Sequence, residues 1–261
     1  MDNNYYVDHI VNRNNVIFRI LAKGKNMIHH KGNIEWFMTD PKGGIERIFG
    51  MTLNENNAQK EIEDLIIKIK SNLAPSIINI NPHSTPYNIG DILISNGFTL
   101  WDKTAWGYGM AMDLQGMKFY DEYPEKIIVK RVEDSKSFEY WIHILNNALF
   151  VEPCLWIKSN DFAHLQQLNN LILYVAYYDG DPAGISSACF DNEAADINFV
   201  ATLDGYRKKG VATAAIHKAL KEMQQMGIKI ATLTGEYSAK PLYERIGFKT
   251  YCEFRTYEYE K

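Results

Sequence analysis

In the stretch DGYRKKGVATAAIHKAL (204–220), three cations, Arg207, Lys208 and Lys209, stand directly before Gly210 and the start of a helix-periodic run. The first N–H groups of a helix have no intrahelical acceptor and lie at the positive end of its dipole. Gly210 lets a ligand approach the main chain closely, and Ala212 keeps the first turn narrow. The cationic side chains add charge beside it. This combination suits a pyrophosphate held mostly by backbone. It equally describes a cationic surface loop before an amphipathic helix, and the loop alone leaves both readings open. The chain has no GxxxxGKS/T and no GxGxxG after an early strand, so a Walker A loop and a dinucleotide-binding Rossmann unit lack support.

Other chemistry is thinner. The seven histidines form no HExxH and no Cys/His pair at ligand spacing, so no metal site is expected. Cys154, Cys189 and Cys252 lie far apart, as suits thiols that pack as small hydrophobes in a reducing compartment. His29-His30 reads as exposed loop, and Trp141 and Trp156 read as core, with the lining of an acceptor cleft as the alternative. With 261 residues, 46% hydrophobic and 23% charged, the chain is in the globular range, so disorder and coiled coil are poor readings. A net charge of −4 argues against binding driven mainly by nucleic-acid phosphates or an anionic membrane. No apolar run approaches the ~18–20 residues of a spanning helix, and the Asn-rich, acidic start is unlike a signal peptide. A cytoplasmic protein is expected.

The elements that must position the loop are legible in the spacing. An N-terminal helix is expected over 5–21, then two strands (34–39 and 47–53) flanking the turn DPKGG. Ile62, Leu65, Ile66 and Ile69 mark a helix over 57–72. A strand at 76–80, a short helix opened by Pro86 and a long strand at 98–114 follow. QGMKFYDEYP (115–124) has no periodicity and marks a boundary between domains. Beyond it come a strand (126–132) and a helix with Phe138, Trp141, Ile142, Leu145 and Leu149 on one face, capped by Asp134 or Ser135. A shorter helix at 160–169 precedes a hairpin turning at Gly-Asp-Pro. Strand 195–202, the loop, helix 211–226 stopped by Gly227, strand 228–234, a helix from Lys240 to Ile246 and strand 248–259 complete the chain. Each half contains a Pro-opened short helix, a Gly-Phe pair and a long aromatic strand. The Gly-Phe pairs lie 150 residues apart, at 97 and 247, which points to an internal duplication.

At the loop the sequence resembles the GNAT-type N-acetyltransferase superfamily, whose signature is Q/R-x-x-G-x-G/A between a strand and a helix. Arg207, Gly210 and Ala212 satisfy it. The surrounding order (hairpin, strand, RKKGVA, helix, strand, LYERIGF) also resembles that family over residues 126–261, and more loosely over the first half. The resemblance implies an α/β fold of tandem GNAT-like units, each a central mixed, mostly antiparallel sheet flanked by helices. A degenerate N-terminal domain would span 1–115 and a catalytic domain 125–261.

The implied function is transfer of an acetyl group from acetyl-CoA to a primary amine, directly and in a ternary complex. By position, the backbone of Val200, Ala201 and Thr202 would pair with the pantetheine arm. Arg207, Lys208, Lys209, Gly210, Val211, Ala212 and Thr213 would hold the pyrophosphate. Tyr243 matches the family tyrosine that protonates the departing CoA thiolate, and a phenol of pKa about 10 is a plausible donor to it. Asp196, six positions before Thr202, stands where some histone-acetylating members carry a catalytic glutamate; Glu193 and Glu236 are rivals for general base. Leu93 takes the place of Tyr243 in the first half, and no RxxGxG/A loop precedes the helix at 57–72, so one active site is expected. Acetyl-CoA is the co-substrate implied, with no metal. The implied acceptor is a small-molecule amine or a peptide or protein amine, with no nucleic-acid or membrane partner, in a monomer or homodimer. A non-catalytic acyl-CoA-binding regulator and a transferase of a larger acyl group remain as alternatives.

Overall fold

The structure, a computed structural model, describes residues 2–39, 46–119, 124–150 and 153–260. Two compact units emerge: Met1–Gly109 with Thr234–Pro241 and Thr250–Lys261, and Met110–Leu233 with Leu242–Lys249. The division into units is therefore not a single cut of the chain.

The first unit begins with α1 (Asn3–Arg13) and α2 (Val16–Leu21). The single helix expected there is interrupted because Asn15 adopts the left-handed conformation, φ 71°, which Asn tolerates better than most residues. Next come β1 (Ile28–Lys31), β2 (Ile34–Phe37) and β3 (Arg47–Met51). Strand β1, not the exposed loop that the sequence suggests, carries His29 and His30, and it pairs antiparallel with β2. The expected DPKGG turn lies outside the described residues.

Helix α3 (Ala58–Lys70) buries Ile62, Leu65 and Ile69, as its spacing predicts. It is followed by β4 (Ile77–Ile80), α4 (Ile89–Ser95) and β5 (Phe98–Leu100). The expected strand 98–114 is broken at a short 3₁₀ turn, Lys103–Ala105, where the Thr104 N–H donates to Asp102 Oδ1 at 2.9 Å. The chain then continues as β6 (Gly107–Asp113), within which the unit boundary falls.

The second unit contains β7 (Ile127–Arg131) and α5 (Ser135–Ala148). Asp134 caps α5, accepting from the Ser137 N–H at 2.7 Å. Helix α6 is only Phe162–Leu165, shorter than its expected span. Strands β8 (Leu171–Tyr178) and β9 (Asp181–Phe190) form the hairpin. Its turn is Asp179-Gly180, both at positive φ (50° and 92°), with Tyr178 opposite Asp181. This two-residue turn matches the twist of the strands better than the Gly-Asp-Pro turn expected, and Pro182 falls inside β9. Then come β10 (Ala194–Thr202), α7 (Val211–Gln225), β11 (Ile230–Glu236), α8 (Lys240–Ile246) and β12 (Lys249–Tyr259).

In the first unit the paired order is β1-β2-β3-β4-β12, with β5 also on β12 and the β3–β4 pair parallel. Strand β12, from the C-terminal end, brings Tyr257 (3% exposed) into the core of Ile62, Leu65, Ile69 and Ile78. In the second unit the order is β7-β8-β9-β10-β11, antiparallel except for the parallel β10–β11 pair. Helices α5 and α7 pack against β8, β9 and β10.

The likeness between the two halves extends to backbone detail. In both β3 and β10 the register with the preceding strand slips by one residue, between Ile48 and Met51 and between Asn198 and Ala201. Each bulge contains a positive-φ residue, Gly50 (74°) or Phe199 (49°). The strands read RIFGMT (47–52) and INFVAT (197–202), again 150 apart, with Phe and Thr in common.

Candidate active site

The site is built around β10. Its pairing with β11 covers only Ala194, Asp196 and the residue between them, opposite Ile230 to Thr232. Beyond Asp196 the strand runs on to Thr202 with β9 as its paired neighbour among the described residues. Just past this fork, Phe199 and Val200 together face one residue of β9, so the extra residue is left out of the ladder. Phe199 holds a left-handed φ that is costly for an aromatic residue. Its ring is fixed edge-on against Trp141 (5.6 Å) and Phe150 (6.3 Å). The result is a stretch of strand, Val200 to Thr202, that shows no pairing with β11 among the described residues.

Strand β10 leads into the cationic loop. Gly210 lies at φ 89° and caps α7. The Ala214 N–H donates to Gly210 O at 2.9 Å, so the N–H groups of Val211, Ala212 and Thr213 precede the intrahelical ladder and emerge at the helix end. Gly184 on β9 makes this approach possible. A Cβ there would meet Val211 Cγ1 at 2.6 Å and Ala201 O at 2.9 Å, so only glycine lets α7 start against the strand.

The three cations differ in how they are held. Arg207 pairs with Asp204 (3.0 Å), and its Nε donates to Thr202 O (3.3 Å), so it braces the loop. Lys209 lies over the rings of Tyr178 (5.0 Å) and Tyr206 (5.4 Å), and the Tyr206 hydroxyl donates to Asp181 (3.2 Å). Lys208 is exposed at φ 60° and has no such contact among the described residues. Thr202 Oγ1 is buried without a hydrogen-bond partner. Orphan helix N–H groups, a glycine-cleared approach, an unengaged lysine and an unpartnered buried hydroxyl together fit an anionic, extended ligand such as CoA.

Asp196 is 4% exposed, and both its oxygens accept hydrogen bonds: Oδ1 from Thr232 Oγ1 (2.8 Å) and Oδ2 from Asn198 Nδ2 (2.9 Å). Tyr243 lies in α8, 8% exposed, with its ring edge-on to Phe248. Glu193 lies in the β9–β10 turn, at the opposite end of β10 from Thr202. Glu236 ends β11 within the first unit. The roles of Phe199, Gly184, Asn198 and Thr232 were not read from the sequence. For Phe199 the Phe shared by RIFGMT and INFVAT was the available signal; for the other three, residue type and spacing carry none.

The first unit closes the corresponding edge with its own chain. Past the β3 bulge, the Thr85 N–H donates to Met51 O (2.8 Å) and the Leu53 N–H donates to Thr85 O (3.0 Å). The Thr85 hydroxyl also donates to Leu53 O (3.0 Å). A Cβ on Gly50 would lie 2.7 Å from Asn81 Nδ2. Leu93 is fully buried in that unit's core.

Among the described residues, no cluster of three or more His, Cys, Asp or Glu could hold a metal ion, and no helix is long and apolar enough to cross a membrane. Residues 138–248 match the model of the acetyltransferase (GNAT) family. No curated protein matches the chain. Among solved structures, a GCN5-related N-acetyltransferase from Kribbella flavida aligns over 97% of this chain and 96% of its own, with TM-score 0.71 and 13% identity. One from Sphaerobacter thermophilus aligns over 86% and 76%, with TM-score 0.63 and 14% identity. A tandem GNAT protein from the clavulanic acid biosynthesis pathway aligns over 86% and 77%, with TM-score 0.58 and 10% identity. At such identities these structures speak for the fold alone; the family match, which contains the signature loop, shows that residues 138–248 carry a domain of the GNAT acetyltransferase family, an acyltransferase class of enzyme.

Proposed function

We propose that this protein is an acetyl-CoA-dependent N-acetyltransferase that acetylates a primary amine by direct transfer in a ternary complex, at one site in the second unit. The observation that carries the reading is the open edge of β10 past its bulge, leading directly into the orphan N–H groups of α7. In this reading Arg207, Lys208, Lys209, Gly210, Val211, Ala212 and Thr213 hold the pyrophosphate, with Arg207 and Lys209 bracing the loop and Lys208 presenting charge. Val200, Ala201 and Thr202 pair with the pantetheine arm. The thioester comes from acetyl-CoA. An amide freed at the bulge donates to the carbonyl oxygen as it becomes negative, the kind of pre-set donor that stabilises an oxyanion. Holding amine and thioester side by side supplies much of the remaining acceleration. Tyr243 donates a proton to the departing sulfur. The amine sheds its proton to solvent before attack.

Direct transfer is favoured over an acyl-cysteine route by the state of the thiols. Cys189 is 2% exposed. Burial, and then the charge of Glu253, push the Cys252 thiol up to about 12, so it is protonated at neutral pH and a poor nucleophile.

Calorimetric titration with CoA tests the site. Gly210→Glu sets a carboxylate and a strained φ at the phosphate end, and CoA affinity should fall by about a hundredfold or more. Unchanged affinity would sink the pyrophosphate assignment. Tight CoA binding without turnover on any amine would instead favour a regulatory acyl-CoA-binding protein.

A further inference from the structure

We propose that Asp196 is a positioning residue: its carboxylate pins the fork at which β10 and β11 part, and through Asn198 it sets the bulge that offers main chain to the thioester. This deepens the acetyl-transfer reading of the same strand and rests on it. It takes the place of the general-base role that position in the family would suggest.

Asp196 and Thr232 are the last opposed pair of the parallel ladder. Their side chains join across it, with Thr232 Oγ1 donating to Oδ1 at 2.8 Å, and Thr232 is fully buried. The other oxygen accepts from Asn198 Nδ2 at 2.9 Å, and that amide also lies 3.2 Å from Asp196 O. The Asn198 carbonyl in turn accepts from Ser187 Oγ at 3.0 Å. The next residue is Phe199, at φ 49° and clamped by Trp141 and Phe150. A backbone conformation of this kind persists only where its surroundings over-determine it. Here the determinants run without a gap from β11 through Asp196 and Asn198 to the bulge. A general base, by contrast, must bring a lone pair within about 2.6–3.2 Å of the proton it takes. Asp196 has a protein donor on each oxygen and almost no exposed surface.

Thr232 separates the two roles, because it has no proton-transfer chemistry to lose. CoA affinity by calorimetry and the pH profile of kcat/KM for the amine are compared in Asp196→Asn, Thr232→Val and Thr232→Ser. The proposal expects Thr232→Val to weaken CoA binding by about tenfold, the equivalent of one well-made hydrogen bond, with the pH profile unshifted. Thr232→Ser restores affinity because the hydroxyl returns. Asp196→Asn keeps the shape of the profile, since its carbonyl can still accept from Thr232. The proposal is overturned if Asp196→Asn removes the acidic limb with CoA affinity intact, or if Thr232→Val binds CoA like the wild type. If the wild type binds no CoA, the acetyl-transfer reading itself has failed. The fork is then read from hydrogen exchange of the amides at 197–202 in Thr232→Val: faster exchange supports the pin and unchanged exchange overturns it.

Discussion

In the proposed acetyl-transfer site Tyr243 and Phe199 would do opposite kinds of work, one through a functional group and the other through its backbone. A phenol that protonates a thiolate contributes only when the carbon–sulfur bond breaks, so its loss belongs in kcat. Tyr243→Phe should lower kcat by about a hundredfold and leave CoA affinity unchanged, as steady-state kinetics and calorimetry would show. A large rise in the dissociation constant with kcat preserved would make the tyrosine a packing residue. Arg207, Gly210 and Ala212 can be proposed from the sequence because a site made of main chain demands particular residues where the backbone must bend or be approached. Phe199 was not, because an apolar residue in a strand looks the same whether it is pleated or left-handed. The division of labour among the three cations was equally hidden. Spacing places Arg207, Lys208 and Lys209 together, but only the folded loop turns Arg207 onto Asp204 and Lys209 onto two tyrosines.

Helix α7, the cofactor end of the proposed site, is fastened at both ends. At its start Val211 fills the space left by Gly184. Towards its far end Glu222, 9% exposed, accepts from the Tyr174 hydroxyl (2.7 Å) and pairs with Arg131 (2.8 Å) and Lys218 (3.0 Å). Burial alone would raise the carboxyl, but the hydrogen bonds from Tyr174, Lys218 and Arg131 outweigh it and hold Glu222 below its ordinary value. A carboxylate lowered on folding contributes stability that is fully present above its unfolded pKa of about 4.3 and is lost as pH falls through the folded value. Glu222→Gln should therefore cost about 1–3 kcal/mol at neutral pH, and the gap in melting temperature from wild type should close as pH drops below about 4. A gap independent of pH would mean the glutamate acts by packing alone. Helices such as α3 and α7 were read correctly because their apolar stripes recur every three or four residues. The break at Asn15 and the interruption of strand 98–114 were missed because each turns on one residue, Asn15 by its φ and Asp102 by its side-chain hydrogen bond.

The two units share a bulged strand of the same kind, yet among the described residues the edge beyond it is paired in the first and shows no such pairing in the second. In the first, Thr85 pairs with Met51 and Leu53 where an extended ligand would otherwise lie, so CoA should bind with a stoichiometry of one per chain by calorimetry; two sites would show that the Thr85 segment yields. The Gly-Phe repeat pointed to a likeness between the two halves. It gave no hint that β12, at the C-terminal end, would pair with β4 and β5 of the first unit, because strand pairing between distant segments leaves no local pattern. Amine acetylation at the second unit's site is the central proposal. The direct measurement is release of the CoA thiol from acetyl-CoA in the presence of a broad panel of primary amines. We expect thiol release that depends on the amine, is matched by acetylated product and is slowed by Tyr243→Phe. Acetyl-CoA binding with no amine-dependent release across the panel would contradict it.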